Sequence, residues 1–314
     1  MILQLCVFLL PPLLLVHGHG NMVHPPVWMD RSARSPEGRL EWPGCGVLDD
    51  QLPETEWQNT TQRSPSCLNY WFTNMTVTRG EVTIPEDMSQ PEALCKQHGS
   101  TSNPWLAPGT APVFSPCGTM GGNPLGCRGD GVGNFGDVCI FADETFPGGF
   151  AKGRNAEEFD WPGEIPVTEW SPGSEQEVRW RVHANHAGGY SYRLCRMPEA
   201  GISGVTEDCF RERPLEFAGD KQWVIYTPDE ATGHMTELEA ARTTEGTSPP
   251  GSMWTANPFK RFGEGATLGT SGGEVIDYVR VPEEVEAGEY VLGFRWDCKC
   301  TPQVWTVCSN VIIM

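Results

Sequence analysis

A histidine at the start of a polypeptide offers two neutral nitrogen donors in one residue, the α-amine and the imidazole Nδ1. Together they close a chelate ring on a metal. The α-amine pKa of roughly 7.7–8.0 lets a metal displace its proton cheaply near neutrality. Nitrogen-only, near-planar ligation selects copper, which stands at the top of the divalent affinity order. One further imidazole would complete a T-shaped site of three nitrogens. The chain has seven histidines, at positions 17, 19, 24, 98, 183, 186 and 234. Residues 1–18, MILQLCVFLLPPLLLVHG, carry no charged side chain and read as an export signal. Cutting after Gly18 puts Val16 and Gly18 at the −3 and −1 positions and exposes His19. For His19 alone, the ordinary reading is that it is simply the residue left by processing.

The second ring must come from elsewhere. His186 falls in the turn-like stretch ANHAG, where a ring can face outward. His183 stands three residues earlier at the end of a predicted strand. That spacing across a strand-to-turn junction does not bring both rings to one face, so HANH makes a poor zinc pair. A surface position is the default for any histidine.

The elements that must position these residues read as strands. EVRWRVH (177–183) and GYSYRLC (189–195) alternate apolar and polar residues with period two. With the short ANHAG between them they predict a hairpin. QWVIYT (222–227), EVIDYVRV (274–281), GEYVLGFRW (288–296) and QVWTVCSNVII (303–313) are four more strands, the last two a closing hairpin. MTVTRGEVTI (75–84) is the clearest strand before residue 170, and PEALCKQH (91–98) could form one short helix. Pro/Gly turns and the scarcity of amphipathic helices argue an all-β, antiparallel sandwich with long, disulfide-stapled loops. Residues 19–314 read as a single domain, with 100–176 an elaborate loop region on its core.

Twelve cysteines, eleven of them after Cys6, fit an oxidising compartment and about five disulfides with one spare thiol, for which Cys300 is the candidate. Sequons at Asn59 and Asn74 agree with a secreted, extracellular glycoprotein. Lys plus Arg number 22 against 41 Asp plus Glu, a formal charge of −19. Such a surface disfavours nucleic acid, anionic membrane and acidic polymers. GVGNFG (131–136) matches a dinucleotide fingerprint but has no strand before it or helix after it. Asp130 and Asp137 could meet a calcium ion, yet two acids among 41 carry little information. Cys298, Cys300 and Cys308 could form a zinc knot, though disulfides are the better reading after export.

The residues from His19, HGNMVHPPVWMDR, resemble the mature start of lytic polysaccharide monooxygenases of the chitin-binding type-4 kind. ANHAGGYSYRLC resembles that family's Asn-His-x-Gly…Arg-Leu-Cys stretch, and QVWTVCSNVII resembles its closing strand. Similarity to auxiliary activity family fifteen is strongest. The three segments occur in the family's order and span 19–313; between them the match is loose.

The resemblance implies an immunoglobulin/fibronectin III-like sandwich with a flat site for one copper ion held by His19 and His186. It implies that Gln303 helps hold an oxygen species and that the residue axial to the metal is Trp305, where the family usually has Tyr or Phe. Gln303 and Trp305 share strand parity, so both face one side of the sheet. Core packing is the ordinary use of such a tryptophan. Arg193, on one face with Ser191 and Cys195, is a candidate supporting residue, with a plain surface ion pair as the other reading. The implied activity is oxidative cleavage of insoluble chitin or a cellulose-like glycan by a monomer fed by an external electron donor. The alternative is a secreted copper-binding or carbohydrate-binding protein without catalysis.

Overall fold

The structure is a computed structural model that describes residues 20–28, 70–72, 104–111, 113, 116–118, 120–121, 144–146, 150–152, 156, 165–182, 185–259, 272–299 and 303–314. The expected leader, His19, both sequons, the expected strand 75–84, the expected helix 91–98, residues 130–137, His98, His183 and Cys300 lie outside the described residues.

Sixteen strands are present among the described residues: β1 (Gly20–His24), β2 (Tyr70–Phe72), β3 (Met120–Gly121), β4 (Glu144–Phe146), β5 (Phe150–Lys152), β6 (Val167–Trp170), β7 (Glu175–Val182) and β8 (Gly189–Arg196) in the first part. β9 (Glu216–Phe217), β10 (Lys221–Tyr226), β11 (Thr236–Glu239), β12 (Arg242–Thr243), β13 (Trp254–Ala256), β14 (Gly273–Arg280), β15 (Gly288–Asp297) and β16 (Gln303–Ile313) follow. One six-residue helix, α1 (Glu207–Glu212), is capped by the Thr206 side chain accepting from the Cys209 amide.

Two sheets form the fold. The first runs β1-β7-β14-β10-β11, with β9 also paired to β14; the second runs β12-β13-β8-β15-β16-β2-β3, with β6 parallel to β16. β4 and β5 form a separate ribbon. The layers meet through aromatic side chains: Trp180 of the first sheet lies 4.6, 5.2 and 5.3 Å, between ring centroids, from Tyr190, Phe294 and Trp296 of the second. Each such pair adds about 0.5–1.5 kcal/mol beyond the apolar area it buries. The all-β sandwich expected from the sequence is therefore present.

One expectation fails. β7 and β8 are not a hairpin: β7 pairs with β1 and β14, while β8 pairs with β13 and β15 in the opposite sheet. Their period-two patterns reflect inward-facing residues in two different layers. The residues between them carry the chain across the sandwich, through positive φ at Ala187 (56°) and Gly188 (84°). The closing hairpin is as expected, with β15 and β16 paired from Gly288↔Ile313 to Asp297↔Val304. Described residues of the 104–118 stretch pack on the outer face of the second sheet. There the Trp105 amide donates to the Cys298 carbonyl, and a disulfide joins Cys117 to Cys308. A second disulfide joins Cys195 to Cys209. Cys308 thus takes part in a disulfide, as preferred over a zinc knot.

Asp277 and Asp297 are both fully buried among the described residues, and Asp277 lies between the two sheets. It accepts from the Tyr190 hydroxyl at 2.5 Å and from Arg242 Nη2 at 3.3 Å. Burial outweighs these partners and raises its pKa from 3.8 to about 6. The folded state therefore holds the proton more tightly than the unfolded chain. The contribution of Asp277 to stability is fully present below the unfolded pKa and is lost as pH rises through the window from 3.8 to about 6. The shift corresponds to a loss of about 3 kcal/mol from this group. Urea unfolding of Asp277→Asn at pH 4 and pH 7 is expected to lack this component; an unchanged difference between the two pH values would contradict it.

Candidate functional site

Trp296 stands at the end of the sandwich where β1 begins. It lies on β15 opposite Trp305 of β16, and the two indoles stack with centroids 5.9 Å apart at 29°. The half-buried His186 ring stacks on Trp296 at 6.1 Å and 30°. β1 enters at the same point. Gly20 pairs with Val182, and its backbone lies so close to the Trp296 ring that a Cβ would fall 2.7 Å from it. Glycine is required by that approach, and a larger residue would push the strand off the indole. Trp296 is thus flanked by the start of β1, the His186 ring and Trp305.

The segment bearing His186 is held by hydrogen bonds on every side. The Trp296 Nε1–H donates to the Ala187 carbonyl at 2.8 Å. The Lys299 amide donates to the His186 carbonyl at 3.2 Å, and the Asn257 amide to that of Gly188 at 2.8 Å. Asn185 Oδ1 accepts from the Ala187 amide at 2.7 Å and from Asn257 Nδ2 at 3.0 Å. Gly188 packs against the backbone of Asp297, where no side chain fits. The imidazole is thereby presented from a rigid corner.

The two closing-strand candidates lie nearby in the fold. Trp305 is 1% exposed and Gln303 5%. Both share the inward parity of Trp296, so Trp305 belongs to the aromatic stack of the core. Arg193 is not brought to this cluster. It faces the opposite side of the sheet and is 3% exposed, so it is not a surface ion pair either. Its Nη1 donates to Glu207 Oε1 at 2.5 Å, and its guanidinium lies over the Phe210 ring at 5.0 Å. Burial lowers its pKa against the pull of Glu207. Of the other histidines, His234 is exposed. His24 lies on the outer face of the first sheet opposite Arg179; burial lowers its pKa, with Glu177 opposing.

Trp296, Asn185 and Asn257 are the residues that sequence reasoning missed. Trp296 is one of twelve tryptophans, and it falls on a strand that already read as half of the closing hairpin. Asn185 had a signal, because it precedes His186 directly; Asn257 is distant and had none.

The Trp296 ring lies against both the start of β1 and the His186 imidazole. Among the described residues no group of three or more His, Cys, Asp or Glu forms a metal cage.

No known family profile matches the chain. It is similar to the lytic polysaccharide monooxygenase aasB of Emericella nidulans, 25% identical over 179 residues, which are 48% of this chain and 51% of the relative. The chain thus spans about half the length of that curated relative. Among solved structures it aligns with the cellulose-active lytic polysaccharide monooxygenase CelS2 in complex with copper, at 13% identity and a TM-score of 0.34, covering 94% of this chain and 98% of the other. It also aligns with a DUF4466 family protein from Parabacteroides merdae at 13% identity and a TM-score of 0.26, covering 45% and 39%. Both superpositions are too loose to fix a correspondence between residues. The sequence similarity is thus to a fungal lytic polysaccharide monooxygenase, over about half of the chain.

Proposed function

We propose that this chain is a secreted, copper-dependent polysaccharide monooxygenase that cleaves chitin or a similar β-1,4-glycan oxidatively, residues 19–314 forming one domain behind an 18-residue export signal. The observation that carries this reading is the convergence of the start of β1 and the His186 ring on Trp296. The similarity to a fungal lytic polysaccharide monooxygenase supports it.

In this reading the His19 amine and ring and the His186 ring hold one copper ion. When bound, the metal supplies the redox chemistry that activates an oxidant against a C–H bond of the glycan. The protein's own task is to orient. Trp296 stacks on the His186 ring and fixes its plane, and the hydrogen bonds around Ala187 prevent the corner from swinging. Gln303 offers a carboxamide able to donate or accept a hydrogen bond on the inward face. Trp305 supplies a packed aromatic wall. Arg193 is left out of this machinery, because its guanidinium is committed to Glu207 on the other face.

His186→Ala is expected to abolish tight copper binding in calorimetry; an unchanged affinity would refute the site. The buried Trp305 favours one competing reading, a copper-binding protein without catalysis. Oxidised oligosaccharides from chitin or cellulose in the presence of copper and a reductant support the monooxygenase. Copper binding without such products across a broad glycan panel supports the alternative.

A further inference from the structure

We infer that Asn257 is a positioning residue for His186, acting through Asn185. This rests on the reading of His186 as a metal ligand for its functional meaning, though not for its structural content. Asn257 follows β13, which pairs with β8 at Thr255↔Tyr190 and Ala256↔Gly189. Its amide extends that ladder by donating to the Gly188 carbonyl at 2.8 Å. Its carboxamide makes two further bonds. Oδ1 accepts from the Phe259 amide at 3.0 Å, and Nδ2 donates to Asn185 Oδ1 at 3.0 Å.

The second bond sets which way round Asn185 sits. Asn185 Nδ2 donates to the Phe259 carbonyl at 2.5 Å, and its Oδ1 accepts from both Asn257 Nδ2 and the Ala187 amide. All of these groups are buried, so each must be matched. Turning the Asn185 amide over would set its NH2 against the Ala187 N–H and its oxygen against the Phe259 carbonyl. The three partners therefore specify one orientation. In that orientation Asn185 bridges to the Ala187 amide, closing a turn in which His186 is the intervening residue. Asn257 thus acts on His186 at two points: on Gly188 through its backbone and on Ala187 through Asn185. Partners bonded directly to a ligand typically change metal affinity by about 10–100-fold when lost, which sets the upper bound for Asn257.

Asn257→Asp isolates the side-chain contribution. The introduced carboxylate can still accept from the Phe259 amide but faces Asn185 Oδ1 with a second oxygen. Asn185 must then turn or withdraw, and the Ala187 amide loses its acceptor. Asn257→Ser serves as a second variant that brings no charge and too short a side chain to make both bonds. Tyr290→Phe is the comparison, since it removes a hydrogen bond to the Glu286 carbonyl at the far end of β15. Two measurements decide the inference in full-length exported protein. In metal-free protein, hydrogen exchange at the Ala187 amide is expected to quicken by about tenfold or more in both Asn257 variants and not in Tyr290→Phe. With Cu(II) added, the electron paramagnetic resonance spectrum of the Asn257 variants is expected to change and affinity to fall by up to about 100-fold, with Tyr290→Phe like the parent. Unchanged Ala187 exchange in folded Asn257 variants would overturn the inference. So would a change of the same size in Tyr290→Phe. If the parent protein binds no Cu(II), the copper reading fails by itself, and the exchange measurement still decides the role of Asn257.

Discussion

Glu207→Ala is expected to lower the free energy of unfolding by about 3–5 kcal/mol. Glu207 opens α1 and lies over the outer face of the second sheet. Its Oε1 accepts from Arg193 Nη1 at 2.5 Å and from Arg295 Nη1 at 2.8 Å. Arg295 is fully buried and also binds Asp297, with Nε to Oδ1 at 2.7 Å and Nη2 to Oδ2 at 3.1 Å. Two guanidiniums thus face two carboxylates. Removing one carboxylate leaves a net positive charge beneath α1 with nothing to offset its desolvation. The same cluster fastens the loop above the sheet, where the Gly109 amide donates to Asp297 Oδ2 and Arg295 Nη2 donates to the Ala111 carbonyl.

The pH dependence of this group runs opposite to that of Asp277. Burial raises the Glu207 pKa, but Arg193 and Arg295 together bring it below the ordinary value. Its ionised form therefore contributes stability at neutral pH that is lost as pH falls through the lowered folded pKa. Denaturant unfolding of Glu207→Ala beside Asp208→Ala, an exposed neighbour on the same helix, checks the account. The neighbour is expected to change stability by less than about 1 kcal/mol. A comparably small change in Glu207→Ala would contradict the charge balance.

Gly188→Ala is expected to cost about 2–5 kcal/mol and to displace His186. Gly188 has φ +84°, and a Cβ there would lie 2.0 Å from the Asp297 carbonyl oxygen and 2.8 Å from the Lys299 amide nitrogen. These are backbone atoms, and Asp297 is anchored by Arg295 and Gly109, so the obstacle cannot step aside. Gly201 has φ +69° with nothing within 4 Å of its hypothetical Cβ. Gly201→Ala therefore measures the conformational part alone, about 1 kcal/mol. Thermal unfolding of the two variants separates the terms. Equal losses would mean that the Asp297 contact exerts no constraint on the corner bearing His186.

The legible part of the molecule was the part governed by local alternation. The strands around Trp180 and Tyr190 announced themselves by period two, and the pairing of β15 with β16 followed from the short connection between them. Alternation gives the face of a residue and not the partner of its strand. For that reason β7 and β8 read as a hairpin although they lie in different sheets. Arg193 shows the same boundary. Its parity with Ser191 and Cys195 was visible, but what covers that face comes from α1 and from residues 104–111, far away in sequence. Within the candidate site, His186 was legible from its turn and its neighbours. Trp296 was not, because nothing local distinguishes a tryptophan that joins two segments from one that fills space. The bonds of Asn257 cross 72 residues to Asn185 and leave no periodic trace.

The central claim is that processing exposes His19 and that its two nitrogens share one copper ion with His186. Native mass spectrometry of the exported protein reads the first residue and any bound metal together. The account predicts a polypeptide that begins at His19 and carries a single copper ion, which the His186→Ala protein fails to retain. A first residue other than His19, or full copper occupancy in His186→Ala, would contradict it.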